Sequence, residues 1–149
     1  MPTREELILK IRDAKRSRGL TWKKIAEAIG PGSPILYTAA LLGQMTLTKE
    51  EAENAAKLLG LSEVEISVLT EPPYRGSLPT VAPTDPLIHR FHELVQTYGT
   101  TWKALIEEEF GDGIMSAIDF DMQMERERIP KGDRVKISMS GKFLPYKRY

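Results

Sequence analysis

The 149 residues contain no cysteine. A disulfide framework, a thiolate nucleophile and every cysteine-ligated zinc site are therefore excluded. Net charge is missing too, because 21 Lys and Arg offset 21 Asp and Glu. The chain thus lacks the field expected of a dedicated nucleic-acid binder, and it carries neither an acidic tail nor a polybasic membrane anchor. Long apolar runs are also absent. The longest charge-free stretch, Ala28 to Thr48, holds Pro31, Pro34, three glycines and Gln44, a poor composition for a bilayer helix. The start, Met1-Pro2-Thr3-Arg4-Glu5-Glu6, turns acidic where a secretory signal would turn apolar, so a cytoplasmic location is expected.

What is present is a folded-protein composition, 41% hydrophobic and 28% charged, which predicts a packed core. A proline-rich seam, Thr70 to Pro86, holds five of the ten prolines and reads as an extended linker between two halves. The expected division is a helical domain over 1–76, linker through 77–83, and a second domain over 84–149. Thr3-Arg4-Glu5-Glu6 and Thr48-Lys49-Glu50-Glu51 are capping boxes, and Thr21, Ser33 and Ser62 are further helix starts. Five short helices are predicted before the seam. After it, Asp85-Pro86 opens an amphipathic helix through Leu87, Ile88, Phe91, Leu94, Val95 and Tyr98. Gly99 is expected to end that helix and Thr100/Thr101 to start another. Beyond Gly113 the period falls to two: Ile118, Phe120, Met122 and Met124, a turn at Pro130-Lys131-Gly132-Asp133, then Val135, Ile137 and Met139 predict a hairpin. The class is mainly α with a small β part. A lone ribbon is marginal in water, so the missing strands are expected to come from a second copy of the chain.

Four features bear on chemistry. Thr21–Gly30 followed by Ser33–Leu42 has the cadence of a helix-turn-helix, but the second helix, SPILYTAALL, has no charge or amide to reach a base or a phosphate. It reads as a packing surface, and no nucleic-acid partner is expected. His89 and His92, with Glu93 nearby, could bind a metal weakly, but they read better as solvent- or interface-facing histidines. Arg90 and Glu93, one turn apart, are either a surface ion pair or a guanidinium fork held by a carboxylate and offered to a small anion. Ser116 lacks the surroundings of a triad nucleophile. It is either a helix-cap serine or a hydroxyl donor to an anion beside the glycine-freed backbone of 111–113.

The runs TDPLIHRFHE (84–93), YGTTWKAL (98–105) and FGDGIMSAI (110–118) resemble the cyanase (cyanate hydratase) family, as do Tyr74-Arg75-Gly76 and Gly141-Lys142-Phe143-Leu144-Pro145. The similarity spans essentially the whole chain. It implies a repressor-like N-terminal domain that does not bind DNA and a C-terminal half intertwined between subunits, with five dimers forming a decamer. It places the catalytic trio on Arg90, Glu93 and Ser116. It further implies cyanate and bicarbonate as substrates, inhibition by small dianions such as oxalate, and no cofactor or metal. Members of the family often carry tyrosine where His89 and His92 stand. The competing expectation is a helix-turn-helix regulator with a C-terminal oligomerisation arm.

Overall fold

Side-chain oxygens define where the first five helices begin. In the computed structural model, which describes residues 1–79 and 81–148, α1 (Arg4–Ser17) starts at Thr3. The Thr3 hydroxyl accepts from the Glu6 amide, and the Glu6 carboxylate accepts from the Thr3 amide, so two donors of the open first turn are satisfied. The same box recurs at Thr48/Glu51 for α4 (Lys49–Leu59) and at Ser62/Glu65 for α5 (Glu63–Thr70). Thr21 caps α2 (Trp22–Ile29), and Ser33 with Pro34 opens α3 (Pro34–Leu41). Every one of these starts lies where the sequence predicts it. Leu7, Ile11, Ile25, Ile29, Tyr37, Leu41, Leu59 and Leu69 meet in the core. Tyr37 to Leu41 are all buried, so α3 spends most of its surface on packing.

The expected pair of helices after the seam is a single one, α6 (Pro86–Phe110). Gly99 does not terminate it, because its φ is not positive and no left-handed cap forms there; that conformation appears at Gly111 (φ 94°), just past the helix. Gly99 serves a close approach instead. A Cβ there would lie 3.6 Å from Leu78 Cδ1, so the linker crosses the helix at this point. The Thr97 and Thr101 side chains on either side are buried.

Between α5 and α6 the described residues form no helix or strand, as the prolines predict, but the centre of this linker is tied down. The Gly76 amide donates to Gln44 Oε1 (2.8 Å) and the Leu78 amide to Gln96 Oε1 (2.8 Å). The Ser77 amide and hydroxyl both donate to the Gln96 carbonyl. Thr80, within the same linker, and Tyr149 lie outside the described residues. Near the other end of α6, the Glu108 carboxylate accepts from the Trp22 amide (2.6 Å) and the Lys23 amide (3.1 Å) at the start of α2. The chain divides into two compact units, Met1–Glu108 and Glu109–Tyr149.

The second unit is the predicted hairpin, longer than expected: β1 (Gly113–Glu127) pairs antiparallel with β2 (Arg134–Pro145). Its register slips between Met115 and Phe120, a bulge that the alternation did not reveal. Gly141 faces the slip, and a Cβ there would collide with the Ser116 carbonyl oxygen. Within this unit the apolar row of the ribbon is uncovered, with Ile118 98% exposed and Met124 and Val135 both open.

Candidate active site

The first turns of α6 position Arg90 and Glu93. Asp85 Oδ1 accepts from the Leu87 and Ile88 amides (2.9 Å each), which fixes where the helix starts and hence which way residues 89–97 point. Arg90 Nη1 then donates to Glu93 Oε2 at 3.2 Å. Both side chains are more than half exposed, so the pair contributes only tenths of a kcal/mol to stability. What it does is hold one corner of the guanidinium. The rest of the fork has no protein partner among the described residues and opens into a cleft of about 720 Å³, also lined by Arg75, His89, His92 and Gln96. A cation with free, forked donors in a cleft suits a small anion.

Ser116 lies in the second unit, on β1 at the bulge, and it is not a helix cap. Its Oγ accepts from the Ile118 amide (3.1 Å) and the Asp119 amide (2.9 Å), and the residue is only 6% exposed. Two amides pointing at one hydroxyl oxygen leave its hydrogen as the group free to act, so Ser116 is an oriented donor. The bulge creates this geometry, since in a regular strand these two adjacent amides would point to opposite edges instead of converging on one oxygen.

His89 and His92 do not converge on a metal. Among the described residues no group of three or more His, Asp or Glu is arranged to hold one. His89 instead lies between the Pro83 carbonyl and Glu93, while His92 Nε2 is 3.4 Å from Gln96 Nε2. Gln44, Arg75 and Gln96 border the cleft or fix its rim, and of these the sequence singled out only Arg75, within the Tyr74-Arg75-Gly76 run.

Residues 4–73 match the family model described as cyanate hydratase, N-terminal, and residues 80–148 match the cyanate lyase C-terminal domain. Both halves thus point to the same lyase class. A cyanate hydratase of Ralstonia pickettii (strain 12J) is 60% identical over 146 residues, covering 98% of this chain and 99% of that protein. One from Dechloromonas aromatica (strain RCB) is 58% identical over 146 residues, with the same coverage. A crystal structure of cyanase from T. urticae is 37% identical, covers 93% of this chain and 96% of its own, and superposes with a TM-score of 0.44. On the family models and the sequence identities, the chain belongs to the cyanate hydratase family. Neither match supports the regulator expectation.

Proposed function

We propose that the protein is a cyanate hydratase that joins cyanate to bicarbonate. The observation that carries the reading is the near-complete match of both halves to that family, with Arg90 and Glu93 paired in a cleft. The physical problem is to bring two anions into contact, where water screens their repulsion poorly. A bicarbonate oxygen bonds to the cyanate carbon while its proton passes to nitrogen, giving a dianionic adduct. The bond between that oxygen and the bicarbonate carbon then breaks, releasing carbon dioxide. The remaining nitrogen takes up one proton to leave carbamate, which takes up a second proton from water and falls apart to ammonia and a second carbon dioxide. Arg90 supplies a permanent cation with forked donors where the charge concentrates, and Ser116 supplies an oriented hydroxyl. Glu93 orients Arg90 and carries the proton that the nitrogen takes up as carbamate forms. Proximity and fixed donors account for these steps with the chain's own residues, and neither a cofactor nor a metal is assigned a role.

The reading extends to the assembly. Residues 1–76 form a repressor-like domain that binds no DNA, and 84–149 form the catalytic and oligomerisation domain, with its hairpin intertwined with a second copy. The uncovered apolar row on β1 and β2 supports this, and the family likeness suggests a cytoplasmic decamer of five dimers. Oxalate, a planar dianion, is expected to mimic the adduct and inhibit. The test is ammonia release from cyanate with and without bicarbonate, using carbon-labelled bicarbonate. Label in half of the carbon dioxide supports the reaction, and full activity in carbonate-free buffer refutes it.

A further inference from the structure

The steps above give His89 no part, yet the structure places it between the Pro83 carbonyl and the Glu93 carboxylate. Its Nδ1 lies 3.2 Å from the Pro83 carbonyl oxygen, which can only accept, so Nδ1 carries a hydrogen and donates. The opposite ring atom, Nε2, lies 3.6 Å from Glu93 Oε1. The other carboxylate oxygen, Oε2, accepts from Arg90 Nη1. The four groups form one line: linker carbonyl, imidazole, carboxylate, guanidinium. We propose that His89 is a positioning residue that sets the plane of Glu93 and, through it, the direction of the Arg90 fork. This rests on the reading in which Glu93 orients Arg90 at an anion site.

The argument is one of freedom. Glu93 and Arg90 are both more than half exposed, and each is a long side chain whose terminal torsions are soft. Paired only with each other, they could swing together without breaking their bond. A ring nitrogen 3.6 Å from the second carboxylate oxygen narrows that motion. The helix from which His89 projects is itself fixed at its start by the Asp85 cap.

The test is a double-mutant cycle on the intact assembly, read by kcat/KM for cyanate and, independently, by oxalate affinity in equilibrium dialysis. His89→Phe keeps a planar ring and removes both nitrogens, while His89→Gln returns a donor within reach of Glu93, four residues on. With Glu93 present, His89→Phe should lower kcat/KM on the order of tenfold and weaken oxalate several-fold, and His89→Gln should recover most of both. In a Glu93→Gln background, His89→Phe should change either readout less than about twofold, because the group it acts through is gone. Equal losses in the two backgrounds, or no loss in either, would overturn the proposal. If the wild type bound oxalate with this background-dependent loss but did not consume cyanate, the reaction would be wrong and the positioning role would stand. If it did neither, both would fall.

Discussion

Arg90 and Ser116 are donors fixed by different means, and substitutions at them should fail differently. Arg90→Lys keeps the charge but loses the fork, because an ammonium cannot hold Glu93 with one corner and present two parallel donors with the others. Loss of one fixed donor typically costs on the order of 100-fold in rate. That loss is expected in ammonia release, with the light-scattering mass unchanged because Arg90 lies in an open cleft; normal turnover would remove Arg90 from the site. Ser116→Ala removes both the donor and the oxygen that ties two bulge amides, so activity should fall with some loss of stability. Far from the cleft, Glu65 is 7% exposed and accepts from Lys10 Nζ at 2.7 Å as well as from the Ser62 amide. Burial pushes its carboxyl up, but the Lys10 ammonium and the Ser62 amide and hydroxyl outweigh that and hold it below the usual 4.5. A carboxyl with a depressed value stabilises the fold fully above its unfolded value, and that stabilisation disappears as pH falls through the lower, folded one. Acid titration of wild type against Glu65→Gln should therefore show the two melting curves converging below about pH 4. Near neutrality the variant should be weaker by about 1–2 kcal/mol. A constant gap down to pH 2 would show that the carboxylate charge is not what matters.

Helix α6 separates what was legible in the sequence from what was not. The five helix starts before it were readable because an N-cap is a contact between residues three apart, closed within the segment that encodes it, and three of the five are full capping boxes. The hairpin was readable from its alternation, although the bulge that orients Ser116 was not, since a register slip depends on which strand lies opposite. Gly99-Thr100-Thr101 has the local signature of a stop and a restart, and the helix nevertheless runs through it. Continuity comes from distant residues: Leu78 lies over Gly99, Thr101 is buried, and Glu108 holds the far end to the start of α2. The spacing of Arg90 and Glu93 was visible but looked the same as a surface ion pair. The contact of His89 with Pro83 depends on the path of the linker, which spacing does not encode. Gly99→Ala tests the continuous helix directly. The added methyl would make ordinary contacts at 3.6 Å and 3.8 Å, and a helical Gly→Ala change is worth up to about 1 kcal/mol. Thermal melting should rise by a few degrees, whereas a glycine needed at a helix end would make the same change destabilising. Glu108→Ala should act in the opposite direction, by about 1 kcal/mol, because two amides at the head of α2 lose their acceptor. Those amides are also the kind of helix start that can meet a phosphate, and here a carboxylate of the same chain occupies them.

The whole chain leaves one physical account open within itself. The first unit has a core of its own, built on Leu7, Ile11, Ile25, Tyr37 and Leu59, whereas the ribbon exposes Ile118, Met122, Met124, Val135 and Met139. A two-stranded sheet with an open apolar row gains too little burial to persist alone, and zero net charge offers no repulsion against association. A second copy is the occupant whose presence is guaranteed at any concentration of the protein. The proposed assembly therefore makes a prediction that separates the two units. Ile118→Glu together with Met124→Glu should drive the light-scattering mass from an oligomer toward 16.8 kDa, since charges would have to be buried in the contact. Helical circular dichroism should persist, because the helices of the first unit do not depend on the ribbon for their core. Cyanate-dependent ammonia release should fall with the mass, because Ser116 sits on the strand whose pairing is being broken. If the double variant ran as a monomer and kept its activity, the site would be complete within one chain and the assembly would have another purpose. If it stayed an oligomer of native mass, the ribbon would not be the contact, and the open face of α6 around Leu87, Phe91 and Val95 would be the next surface to substitute.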